Sequence, residues 1–433
     1  MRSAGIFRAA RTAGLPGSIA IVIVAALATF SGAVSAQRGG AARAPNYQVQ
    51  PFWPRPFTNH SWVLGSVTGV AVDAQNHVWV VHRGNDSLEA NEKGMATSPP
   101  SSSICCQAAP FVLEFDQTGA LVSSWGGPGQ GYQWPQSPGG IAVDAKGNVW
   151  IAATGLEPPP TAPARGRGDA VVGETPAPGT ARGRGAPQGP ADAHVLKFSR
   201  DGKFLLQIGT PGKMDGPTSQ MTLNRPAAVA YDASANEVFV ADSGNRRVIV
   251  FDADSGAYKR HWFAYGEKMP GTAPGPYMPG EMPARSFREV TCVKIARDGL
   301  VYVCDRSSDR IQVFRKDGTF VKEGTVAPNT LGATVTGQFG VVASRGSVWD
   351  LAFSNDAQQR YLFVTDGHNK KVHVLERESL MESGTFGSGG RYPGQFLANG
   401  SIASDAQGNL YIGETHHGKR IQKFAAGTAR RTS

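Results

Sequence analysis

The chain has 433 residues, 54 of them Gly and 29 Pro, with only 18% charged. That turn-rich, charge-poor composition excludes a coiled coil or a long helical array, and a closed all-β architecture can take up this length as one domain. The formal net charge is +9, but the basic residues are scattered through the chain, so no nucleic acid partner is expected.

At the N-terminus Arg2, Arg8 and Arg11 precede an apolar run from Ile19 to Phe30, and Val34-Ser35-Ala36 closes the segment. Basic, then apolar, then small residues is the order of a secretory signal peptide, so residues 1–36 are expected to be removed. The apolar run falls short of the roughly 20 residues that cross a bilayer, and no membrane span is expected after cleavage. The mature part, 37–433, is therefore expected to be secreted or periplasmic, where disulfides persist. Cys292 and Cys304 flank the turn Arg297-Asp298-Gly299 at equal distance, which suits a cross-strand bridge. Cys105 and Cys106 are adjacent and fit neither a CxxC redox motif nor a zinc knuckle. The pairing of the four stays open at this point.

A two-strand phrase recurs six times: GVAVDAQNHVWVV from Gly69, GIAVDAKGNVWIA from Gly140, AVAYDASANEVFVAD from Ala228, CVKIARDGLVYVCD from Cys292, DLAFSNDAQQRYLFVTD from Asp350 and SIASDAQGNLYIGE from Ser401. Each reads as strand, polar turn, strand. A second strand pair follows the first five copies, as in HVLKFSRDGKFLLQIG and RIQVFRKDGTFVKEG. Four strands make a blade, and six blades make a β-propeller. The sixth copy has only RIQKF after it, so the segment Tyr47–Phe52 is expected to supply the missing strand and close the ring. Residues 157–192 interrupt the second blade with Pro, Gly, Ala and Arg. They are expected to be a disordered, solvated insertion in which Glu157, Asp169, Glu174 and Asp192 balance the arginines.

In an antiparallel blade the start of the first strand and the end of the second lie at one end of the ring. That face collects His82 and Arg83 from blade one, Asp242 from three, Asp305 and Arg306 from four, Asp366 from five and Glu414 from six. These seven residues are the candidate ligand-binding set for a small polar or anionic ligand or a protein partner. The acids open a repeated turn, DSGNRRV, DRSSDRI, DGHNKKV and ETHHGKRI, and an Asp that caps such a turn and pairs with its Arg or Lys would recur without any ligand. Of the nine histidines, His82, His368, His416 and His417 come from blades that become neighbours on closure, which makes them candidate ligands of one metal. A structural calcium or a divalent metal at the channel are the cofactors considered. No nucleophile elbow, P-loop or dinucleotide fingerprint occurs in a supporting context.

The stretch LGSVTGVAVDAQNHVWVVHRGND, Leu64 to Asp86, resembles the first blade of peptidyl-α-hydroxyglycine α-amidating lyases, which are NHL-repeat propellers. The resemblance continues through ADSGNRRVIVF, CDRSSDRIQVF and IASDAQGNLYIGETHHGKRIQKF. It implies a six-bladed NHL-type fold. It also places the family's three zinc histidines at Gly139, Thr291 and Gly400, none of which ligates zinc. The family's catalytic tyrosine falls at Ser243-Gly244-Asn245, its calcium-supporting aspartate at Ser401 and a nearby methionine at Ala398. Only its arginine is retained, as Arg83, the one candidate catalytic residue. Two readings follow: a binding or interaction module that works through the channel mouth, and a diverged lyase-like metalloenzyme. A third, a purely structural assembly protein, predicts an inert channel.

Overall fold

The structure is a computed structural model that describes residues 45–155, 191–332, 334–337 and 340–427. The signal-like segment, residues 156–190 of the insertion and the last residues of the chain lie outside these. Six four-stranded antiparallel sheets follow one another in the order the repeats predict. From the inside outward, blade one is Val67–Val72, Val78–His82, Val112–Phe115 and Leu121–Trp125, and blade three is Pro226–Asp232, Glu237–Asp242, Arg247–Asp252 and Tyr258–Trp262. Blades two, four and five repeat the pattern. In blade six, Tyr47–Gln50 pairs with Arg420–Ala426 in the register Tyr47 to Ala426. The N-terminal strand therefore completes the last sheet, and Tyr47 seats its ring 5.2 Å from Phe363 of blade five.

Successive side chains of a strand point to opposite faces of its sheet. Here both faces of each blade are covered by neighbours, so second and third strands such as Glu237–Asp242 and Arg310–Phe314 are buried along their whole length. The apolar core divides accordingly into six clusters, each between two adjacent blades. Phe239 and Ala241 face blade four, and Val238 and Val240 face blade two. Outer strands such as Tyr258–Trp262 are only partly covered. Cys292 and Cys304 are directly opposed in blade four and are bonded, with Cα atoms 4.9 Å apart. Cys105 and Cys106 are bonded to each other.

At the hairpin-turn end of the ring, Asp73, Asp144 and Asp405 each accept two backbone N–H groups of their own turn. Each also accepts an aromatic donor from the next strand: Trp79 Nε1 at 3.0 Å, Trp150 Nε1 at 3.3 Å and Tyr411 Oη at 3.0 Å. This is why the phrase pairs an Asp with an aromatic six residues on. A buried carboxylate needs partners, and the turn supplies them.

Candidate functional site

At the opposite end of the ring, the acids that close the second strands turn inward. Asp242, Asp305, Asp366 and Glu414 are fully buried. Asp242 accepts the Nε of Arg247 at 2.8 Å, Asp305 that of Arg310 at 2.9 Å and Glu414 that of Arg420 at 2.5 Å. Their second oxygens accept backbone N–H groups of the chain entering the same blade: Asn224 onto Asp242, Arg288 and Glu289 onto Asp305, Leu397 onto Glu414. Asp366 takes the amides of His368 and Asn369 and contacts His373 Nε2 at 3.1 Å. Each acid thus fastens its blade's entry segment or turn, and none of the four lines the mouth cavity.

Two blades lack an acid at that point and use a substitute. In blade two Asp192 does the work, accepting the amides of Gln136, Ser137 and Gly155. It is fully buried, which corrects its reading as the last acid of a solvated loop. In blade one His82 is fully buried. Its Nδ1 accepts the amides of Gly65 and Gly84, both at 3.1 Å, and its Nε2 donates to the Pro110 carbonyl at 2.9 Å. Burial pushes this imidazole down to about 4, which suits the neutral form that these contacts require. His82 is thus a structural clamp, and as a ligand-binding or metal candidate it is already committed.

The residues one or two places beyond the ends of the second strands face the cavity. Arg83, Thr154, Ser243, Arg306 and His416 line a space of about 460 Å³ with Arg225, Arg246, Arg288 and Arg345. Among the described residues six arginines therefore surround it, and the single carboxylate on its wall is Glu289. Arg306 grips Glu289 with Nε and Nη2, at 3.1 and 2.5 Å, and Ser307 Oγ donates to it at 2.6 Å. Burial opposes the Glu289 charge, but Arg306 and Ser307 outweigh it and hold the carboxyl below its ordinary range. Arg225 and Arg246 both sit on left-handed backbone, at φ 48° and 55°. Arg225 lays its stem against Gly155. Sequence reasoning found Arg83 and Arg306 of this set. Arg225, Arg246, Arg288 and Arg345 escaped it, although the entry phrases NRP and FREV place an arginine just ahead of two inner strands.

His416 lies where three hollows meet. Water reaches it, yet the concave walls crowd it. Desolvation first, then the charges of Arg83, Arg345 and Arg306, push its imidazole down to about 4. Its ring meets Trp349 edge-on at 6.3 Å. His368 and His417 line the neighbouring hollow with it, so three of the four candidate metal histidines share one region. Their ligand atoms are too far apart for a common ion: among the described residues the group close enough is Asp73, His77 and Glu114 at the other end of the ring, and Arg200 already pairs with both acids there.

The positions that the amidating-lyase resemblance marked do converge. Gly139, Thr291 and Gly400 all line the cavity floor, on alternate blades. A Cβ on Gly139 would lie 2.3 Å from Thr154 Cγ2 and 2.8 Å from the Ala227 carbonyl. Blade two approaches its neighbour too closely there for an imidazole. Thr291 Oγ1 is turned to the carbonyls of Val348 and Trp349. With six guanidinium groups around it and the one carboxylate among its described lining residues already paired, that lining fits neither zinc nor calcium.

The NHL repeat family pattern matches residues 223–251, the entry segment and first three strands of blade three. Peptidylglycine alpha-amidating monooxygenase of Rattus norvegicus is 24% identical over 267 residues, which cover 60% of this chain and 22% of that protein. The chain thus spans about a fifth of the amidating monooxygenase. NHL repeat-containing protein 3 of Mus musculus is 23% identical over 315 residues, covering 69% of this chain and 67% of the relative. Among solved structures, a streptogramin B lyase covers 88% of both chains at 11% identity with a TM-score of 0.43. A Bacteroides thetaiotaomicron protein of unknown function covers 89% of this chain and 73% of its own, at 14% identity and a TM-score of 0.48.

Proposed function

We propose, for a chain that is a six-bladed propeller carrying NHL-type repeats, that it is a binding module whose mouth takes an anionic ligand. One observation carries this: among the described residues six arginines and a single, already paired carboxylate line a cavity of about 460 Å³. That volume lies within the usual range of small-molecule sites. Guanidinium groups recognise carboxylates and phosphates through paired N–H donors, and they do so best where water is partly excluded. The guanidinium groups of Arg225 and Arg246 make no side-chain hydrogen bond or ion pair with the described residues, so a ligand anion meets them without displacing one. Export is part of the same proposal, on the strength of the N-terminal segment. The amidating reading draws support from the names of the relatives and from Arg83, but its zinc positions are Gly139, Thr291 and Gly400.

Titration calorimetry with citrate and with sulfate at low salt tests the proposal. Wild type should bind, and Arg225→Gly or Arg246→Gly, which suit the left-handed backbone, should each weaken binding by about 1.5–3 kcal/mol. Binding that is absent in wild type, or unchanged in both variants, would place the ligand elsewhere.

A further inference from the structure

From the central cavity the space continues past His416 in two directions, and charge distinguishes them. Toward blade one the hollow holds about 90 Å³ and is lined by Asp86 and Glu89 beside Ser66 and Arg83. Toward blades five and six it holds about 430 Å³ and is lined by His368, Lys370, Arg391 and His417, with no carboxylate among the described residues. This larger lobe shares Arg345, Trp349 and His416 with the central cavity. The first direction repels a second negative charge and the other attracts it.

We propose that the lobe over blades five and six is a second anion subsite, and that the ligand is an elongated dianion with one acidic group in each cavity and a neutral spacer passing Trp349 and His416. This rests on the reading of the central cavity as an anion site. Lys370 is the anchor of the second subsite. It stands on left-handed backbone at φ 60°, and its ammonium donates to the Gly367 carbonyl at 2.5 Å, which leaves two of its three N–H groups for a ligand. Burial depresses its pKa against the pull of Asp366 and Glu414 beneath it, so an anion above it restores what desolvation costs. Arg391 stands exposed at the outer rim of the lobe and adds a planar donor fork there. The shared chemistry is two carboxylate or phosphate groups held apart, as in a dicarboxylate, an acidic disaccharide or a bisphosphate.

The test is calorimetry on the full chain with butyrate and with α,ω-dicarboxylates from succinate to sebacate; digalacturonate and an alkane bisphosphonate separate the sources. One chain length should exceed butyrate in affinity by at least about tenfold, because the second group binds at high effective concentration. Lys370→Gly, which keeps the left-handed turn, and Arg391→Ala at the exposed rim should each erode most of that gain while changing butyrate affinity far less. A dicarboxylate series no better than butyrate, or variants that lose both ligands equally, overturns the second subsite and leaves the central one standing. Failure of wild type to bind even butyrate and citrate overturns both.

Discussion

The two ends of the ring use the same residue types to opposite effect. At the hairpin-turn end, cations meet carboxylates across blade boundaries: Arg200 with Asp73 and Glu114, Lys316 with Asp232, Lys146 with Asp254, Arg377 with Asp298. At the mouth end the acids that close the second strands are withdrawn into the blades, and six guanidinium groups stand around a cavity with one acid on its wall among the described residues. Matched charge sews neighbouring blades together, whereas at the mouth guanidinium groups outnumber the carboxylates on the cavity wall, although Arg288 and Arg306 also pair with Glu281 and Glu289. Charge composition alone therefore says little about function in a propeller; what matters is which end holds the surplus.

The sharpest way to break this contrast is to remove a withdrawn acid. Arg247 and Arg310 are buried with Asp242 and Asp305, and losing one partner of such a pair typically costs about 3–5 kcal/mol. Asp242→Ala or Asp305→Ala should therefore lower stability to urea by that amount. A variant that keeps its stability and loses ligand affinity would return these acids to the binding set.

His82 gives the next largest effect. Its folded pKa of about 4 lies below the ordinary 6.5, so between those values the unfolded chain binds a proton that the folded chain does not. Stability is complete above pH 6.5 and falls as pH drops toward 4, by about 3 kcal/mol from this group. Urea midpoints across that range should show the slope, and His82→Gln should flatten it. An undiminished slope in the variant would trace acid sensitivity to another group.

The smallest effect belongs to the mouth itself. A bound anion favours protonated His416 against the opposition of Arg83, Arg345, Arg306 and His417. Sulfate, which stays ionised, should therefore bind more tightly as pH falls from 7 toward 4, by roughly 0.5–1 kcal/mol. His416→Ala should abolish the trend, and a trend that survives it would remove the imidazole from the ligand's surroundings.

Much of the fold was legible because a blade is a local unit. Six hairpin phrases, Asp at each turn, and a last copy short of one strand specify the ring, and Tyr47–Gln50 closes it two residues short of the segment expected. The opposition of Cys292 and Cys304 follows from counting residues around one turn. The acids' role as turn caps was legible from DSGNRRV and its relatives, but the offset was not: the clamp residue points into the blade, and Arg83, Ser243, Arg306 and Thr415, each one place on, line the cavity. Arg225, Arg288 and Arg345 lie in entry segments that differ from blade to blade, so no repeat marks them. Only closure of the ring brings them within reach of one ligand. The clamp of blade two was hidden further, because Asp192 follows a long low-complexity stretch and looks like part of it.

That clamp has a consequence for engineering. Asp192 Oδ2 holds the amide of Gly155 at 2.9 Å, so the two points where the insertion leaves and rejoins blade two are tied together by the ring itself. The entropy of closing a loop between two points held so close varies slowly with the length of the loop. Gly155 and Asp192 are thus a closed pair of anchor points beside the cavity wall, and a fluorescent reporter spliced between them starts and ends at fixed positions.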